Sequence, residues 1–160
     1  SETHQMLELK SDTVLYAAGK VVHGFGRGSK QLGIPTANME DSVVEKLPES
    51  FHSGVYFGWA KVDHGPVTKA VVSIGFNPYF KNTKRTLETH LMHTNCEDFY
   101  DSLHQVLLIK YHRPQLDFNG LDDLIACIKD DIAQADRYLD EPEARKWKDD
   151  PCFTTCPLLK

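Results

Sequence analysis

Gly54 to Ile74 reads GVYFGWAKVDHGPVTKAVVSI, and this stretch decides the fold class. Both halves are rich in aromatic and β-branched residues. The Asp63-His64-Gly65-Pro66 break between them predicts a hairpin of two strands, Gly54 to Val62 and Val67 to Ile74. Strand signals continue on either side. Upstream, Leu15 to His23 reads as a first strand, followed by a segment from Met39 to Ser53 with at most one helical turn around Val43 to Leu47. Downstream, Gly75-Phe76-Asn77-Pro78 ends the hairpin, Lys81 to Arg85 makes a basic turn, and Thr86 to His93 resumes extended structure. Glu97 to Leu103 predicts one or two helical turns. Gln105 to His112 then carries Val106-Leu107-Leu108-Ile109, the apolar run of a strand buried on both faces.

One long helix follows, from Gly120 to about Asp140. Leu121, Leu124, Ile125, Ile128, Ile132, Ala135 and Leu139 keep the helical period, while Asp122, Asp123, Lys129, Asp130, Asp131 and Arg137 fall largely on the other side, read as a solvated face. Asn119 is placed to cap its start. Strands separated by turns and then a terminal helix give a mainly β fold, and without strand-helix alternation a doubly wound parallel sheet is excluded.

The 160 residues suit one domain over 1–160, with 1–12 and 150–160 read as peripheral tails because 1–12 is polar and lacks periodicity. A net charge of -5 argues against a general nucleic-acid binder. No run approaches the ~20 apolar residues of a membrane span, and the start lacks a signal-peptide pattern. A cytoplasmic chain with no membrane partner is therefore expected, an organellar pool staying open. Cys96, Cys127, Cys152 and Cys156 form no recognisable framework, so free thiols are expected.

Gly19 to Asn38 reads GKVVHGFGRGSKQLGIPTAN. Gly24, Gly26, Gly28 and Gly33 among Arg27 and Lys30 suit a loop that wraps an anion such as a polyphosphate; the alternative is a plain surface turn. Familiar phosphate motifs fail here. Lys30 follows Ser29 and precedes Gln31, against the Walker A order, and the third glycine of a dinucleotide fingerprint would fall on Ser29. Protein-kinase signatures are absent. Elsewhere His90 and His93 invite a metal reading, but residues three apart in a strand face opposite ways.

The stretch nevertheless resembles the signature of riboflavin kinase (flavokinase). Gly54-Val55-Tyr56-Phe57-Gly58-Trp59-Ala60, VVSIGFNPYFKNTKRTLETHLMH from Val71 to His93, and Tyr111-His112-Arg113-Pro114 agree with it in order and spacing. The likeness covers about residues 15 to 140 and is greatest for the monofunctional eukaryotic form. It implies a six-stranded antiparallel Greek-key β-barrel with the long helix packed outside. It also implies transfer of the γ-phosphate of ATP to the 5′-hydroxyl of riboflavin, giving FMN and ADP. Carried over by motif, Glu88 is the catalytic base; Gly24, Lys30, Thr36, Leu91, His93 and Tyr100 meet ATP, Leu91 through its backbone. Thr36 and Asn38 hold magnesium, with zinc or manganese as alternatives, and Arg113, Leu116 and Phe118 meet the flavin. Leu116 stands where the family varies, which leaves only a backbone contact there. In an extended segment Thr36 and Asn38 share one side, with Ala37 opposite.

The competing reading is a flavin-binding barrel, an FMN carrier or oxidoreductase, without kinase activity. It would leave the Thr36 and Asn38 pair without a purpose. No nucleotidyltransferase domain like that of bifunctional bacterial relatives is expected within these 160 residues, whether or not they belong to a longer protein, and a monomer is expected.

Overall fold

The structure is a computed structural model and describes residues 6–22, 34–76, 84–93 and 101–159. Among the described residues seven strands form one sheet: β1 (Met6–Ser11), β2 (Val14–Val22), β3 (Ala37–Met39), β4 (Gly54–Val62), β5 (Thr68–Phe76), β6 (Arg85–Leu91) and β7 (Leu103–Arg113). Their order is β1-β2-β3-β6-β5-β4-β7, every pairing is antiparallel, and β7 returns to β2 through Leu15↔Leu108 to Lys20↔Leu103. That return closes β2, β3, β6, β5, β4 and β7 into a six-stranded barrel. The expected barrel is the observed one. β1 is an addition, pairing Met6 to Ser11 with Ala18 to Val14. The segment read as a frayed tail is therefore a strand from Met6, and the alternation Leu7-Glu8-Leu9-Lys10 was its unused signal.

Strand alternation builds two cores on opposite sides of the barrel wall. Leu15, Ala17, Tyr56, Ala60, Ala70, Val72, Ile74, Leu87, Leu91, Val106 and Leu108 fill the interior. The helical turn α1 (Asp41–Val44) and the residues after it add Val43, Val44, Leu47 and Phe51 to the same core. Arg85, read from the sequence as part of a basic turn, is committed to this segment, donating to the carbonyls of Leu47 at 2.7 Å and Phe51 at 3.1 Å. Outward-facing Tyr16, Phe57, Trp59, Leu107 and Ile109 make the second core with Ala135 of the long helix α2 (Leu121–Tyr138) and Leu139 at its C-cap.

Gly58 lets β4 curve into this wall. The β4–β7 register shifts between Phe57 and Gly58, and a Cβ at Gly58 would overlap the Leu107 carbonyl, so the close strand approach requires glycine. After α2, α3 (Pro142–Arg145), the 3₁₀ turn Lys146–Asp149 and α4 (Cys152–Thr155) continue over the outer core. Cys152, Phe153 and Cys156 are buried there, and Lys61 Nζ donates to the Phe153 carbonyl at 2.9 Å. The tail from 150 is thus an integral packing element. Cys127, Cys152 and Cys156 are free thiols, as expected, and burial pushes the Cys152 thiol up. Two further differences concern α2. Its N-cap is Gly120, with no side-chain cap from Asn119, and Asp131 is 3% exposed rather than solvated. Among the described residues no helix is long and apolar enough to cross a membrane.

Candidate active site

The outer face of β6 presents the candidate residues Glu88 and His90. Leu87, Thr89 and Leu91 point inward and are buried, so Glu88 and His90 between them point out. β3 lies against this strand with Ala37 opposite Thr89 and Asn38 opposite Glu88, while β5 places Ser73 opposite Glu88 on the other side. Ala37 and Met39 belong to the interior core, which leaves Asn38 on the outer face. Thr36 Oγ1 donates to Glu88 Oε1 at 3.1 Å. Burial pushes the Glu88 carboxyl above the ordinary carboxylate range, and the Thr36 hydrogen bond offsets part of that rise. His90 Nδ1 donates to the Pro35 carbonyl at 3.1 Å, fixing the approach of the Thr36 segment.

Glu88, Thr36 and His90 open onto a cavity of about 290 Å³ between the barrel wall and α2. Val55, Val71 and Ser73 supply its barrel side. Phe118, Leu124 and Ile128 supply its helix side. The front half of the apolar α2 stripe thus overhangs the cavity, while its back half is packed in the outer core. Gln115, in the segment joining β7 to α2, donates to Ser73 Oγ at 2.9 Å and to the Ile74 carbonyl at 3.1 Å, which ties that segment across the cavity mouth.

Arg113 ends β7 at the same cavity. Its Nε donates to Asp131 Oδ1 at 2.9 Å and its Nη2 to Asp131 Oδ2 at 2.6 Å, a bidentate pair joining β7 to α2. Hydrogen bonding to Asp131 holds the guanidinium pKa above its ordinary value, so Arg113 is permanently cationic. Gly54 makes room for this strand end. Its φ is +149°, and a Cβ there would crowd the Arg113 carbonyl and the Tyr111 ring.

Of the residues expected from the sequence, Glu88, Thr36, Arg113 and Phe118 come together around one cavity, with Asn38 beside Glu88 in the ladder. Leu91 is 1% exposed in the interior core, leaving its backbone for any ligand. His93, at φ +62°, lies elsewhere: its Nε2 is 3.7 Å from Asp136 Oδ1, next to Lys69, which also pairs with Asp136 and Asp140. Leu116 is 49% exposed and is not in the cavity wall. Gly24, Lys30 and Tyr100 lie outside the described residues. Gln115 was missed, His90 was weighed only as a metal ligand, and Asp131 was read as solvated. Asp131 had a signal, since it follows Leu124 and Ile128 at the spacing of one helix face.

The riboflavin kinase (Flavokinase) family matches residues 12–139. The chain belongs to that family. Riboflavin kinases of Mus musculus and Homo sapiens are each 52% identical to it over 138 residues, 86% of this chain and 89% of the relative. A bifunctional riboflavin kinase/FMN phosphatase of Arabidopsis thaliana is 45% identical over 139 residues, 87% of this chain but 37% of that longer protein. The crystal structure of riboflavin kinase from Trypanosoma brucei superposes with a TM-score of 0.70 at 27% identity, over 89% of this chain and 87% of that one. Family membership favours the kinase reading over the flavin barrel without kinase activity.

Proposed function

We propose that Glu88 is the general base of this enzyme and that the cavity between the barrel and α2 receives the riboflavin ring. The reaction is that of the family: an ATP-dependent riboflavin kinase, which phosphorylates riboflavin to FMN and releases ADP. One observation carries the residue assignment. A carboxylate with a raised pKa sits at the rim of an apolar-walled cavity, next to a hydroxyl just before β3 and an amide on it. Phosphoryl transfer leaves little covalent work for a protein beyond positioning, charge stabilisation and acceptance of the proton of the attacking hydroxyl. Glu88 accepts that proton from the ribityl 5′-hydroxyl. Phe118, Leu124 and Ile128 give the isoalloxazine an apolar wall, and Arg113 gives its polar edge a fixed cation.

Thr36 and Asn38 fit a magnesium ion bound with the ATP phosphates. Both offer neutral oxygens on the outer face beside Glu88, and magnesium prefers a few protein oxygens completed by phosphate and water. Bound there, the ion would shield phosphate charge. Thr36→Ala and Asn38→Ala are each expected to raise the magnesium concentration for half-maximal rate more than they raise the riboflavin requirement. Metal titrations identical to wild type in the folded variants would count against the pair. We take a monomer as the working unit, since barrel closure removes most strand edges.

The cavity assignment has its own test. Phe118→Ala is expected to weaken riboflavin and FMN binding by about 10-fold or more, while an ATP analogue titrated without flavin binds nearly as before. A loss confined to the nucleotide would move the flavin site elsewhere.

A further inference from the structure

We propose that Asp131 is a positioning residue of the riboflavin site, holding the Arg113 guanidinium in one plane at the cavity wall. The inference rests on the reading that this cavity takes riboflavin. Asp131 is 3% exposed, and burying a carboxylate on a helix is costly unless both its oxygens are satisfied. Both are. Oδ1 takes Arg113 Nε at 2.9 Å and lies 3.2 Å from His112 Nε2, while Oδ2 takes Arg113 Nη2 at 2.6 Å. The His112 ring is itself fixed by stacking on Phe57, with centroids 4.3 Å apart and planes 27° apart. Arg113 Nη1 donates to the Pro114 carbonyl at 3.0 Å, so every nitrogen of the guanidinium has a protein partner.

A guanidinium tied on three nitrogens has lost the freedom of a mobile surface charge. What it offers a ligand is a plane in one orientation, which suits a flat aromatic ring or a ring edge with fixed acceptors. Asp131 also balances the Arg113 charge, so the cavity can receive an uncharged ring system without holding an unpaired cation. A simple tie of helix to barrel explains less. Ile132, Ala135 and the C-cap Leu139 already pack α2 on the outer core, and Lys69 holds its C-terminal end through Asp136 Oδ1 at 2.8 Å and, just beyond it, Asp140 Oδ1 at 2.9 Å. The helix has its own attachment. The Arg113–Asp131 pair sits instead where the apolar stripe leaves the core and reaches the cavity.

Calorimetric titration of riboflavin and of an ATP analogue, each alone, tests this in Asp131→Asn, Arg113→Lys, Arg113→Ala and the Arg113→Ala/Asp131→Asn double variant. Asp131→Asn keeps the shape but loses the bidentate acceptor, and riboflavin should bind about 10–100-fold more weakly, as expected when a binding group is misplaced. ATP-analogue affinity should stay within about twofold, a split that a merely structural role would not produce. Arg113→Lys keeps the charge without the plane and should resemble Arg113→Ala. The double variant should bind no more weakly than Arg113→Ala, because the carboxylate acts through the arginine. Loss in Arg113→Ala with wild-type riboflavin affinity in Asp131→Asn overturns the proposal alone, as would additive losses in the double variant. Unchanged riboflavin affinity in Arg113→Ala would remove the riboflavin reading of the cavity as well. Should Asp131→Asn fail to fold, Arg113→Lys decides, and wild-type affinity there overturns the proposal.

Discussion

Turnover of the Glu88→Gln variant is expected to fall by about 10²–10⁴-fold, the usual worth of a general base, with riboflavin and nucleotide still bound. The substitution is close to isosteric. Its amide oxygen still accepts from Thr36 Oγ1, which lies 3.1 Å from Glu88 Oε1, and the β6 ladder to β3 and β5 is made by the backbone. Only proton acceptance is removed. The wild-type pH profile should carry the same signature. Burial raises the carboxyl pKa above its ordinary value, and the base must be ionised to act, so the rate should rise with pH through that raised value and level off above it. Glu88→Gln should lose this acid limb. Near wild-type turnover in Glu88→Gln would exclude Glu88 from the chemistry, whatever the pH profile.

A second large effect concerns stability rather than rate. His104 on β7 follows the inward alternation of Val106 and Leu108, is 0% exposed, and has neither ring nitrogen hydrogen-bonded among the described residues. Burial pushes its pKa down from 6.5 to about 4. Across that window the unfolded chain binds a proton that the folded chain refuses. Folding stability is therefore full above pH 6.5 and falls as the pH drops toward 4. His104 alone should remove about 3 kcal/mol over this range. Replacing it by leucine, similar in size and without titratable or unpaired polar atoms, should flatten the acid side of the stability curve and leave neutral stability near or above wild type. Denaturant unfolding of both proteins at pH 7 and pH 4 measures this. Equal losses in the two proteins would show that other groups carry the acid sensitivity.

The strands, their alternation and the long helix were legible in the sequence because each depends on local period. The hairpin from Gly54 to Phe76 and the apolar run of β7 appear within a residue or two of their expected bounds. β1 was overlooked: its Leu7-Glu8-Leu9-Lys10 alternation is short and half-exposed, and pairing with β2 makes it a strand. α4 was likewise hidden, since Cys152, Phe153 and Cys156 read as a tail until Lys61 and the outer core are seen beneath them.

The site was legible only in part, for the same physical reason. Thr36 and Glu88 meet through β3–β6 pairing, across 52 residues, and no local pattern encodes that register. Motif likeness supplied the names of Glu88, Arg113 and Phe118, and it could not supply Gln115 or the cavity they share. Asp131 was misread because charge was given more weight than helical spacing. Its partner lies on β7, and pairing there makes a buried carboxylate stable.

The central claim is that this barrel phosphorylates riboflavin with a base on β6. Incubation of the protein with riboflavin and magnesium-ATP, with FMN and ADP quantified over time, tests it directly. FMN and ADP should accumulate in equal amounts, and both should all but vanish in Glu88→Gln. ADP formed without FMN, or riboflavin left unchanged by the folded wild-type protein, would contradict it.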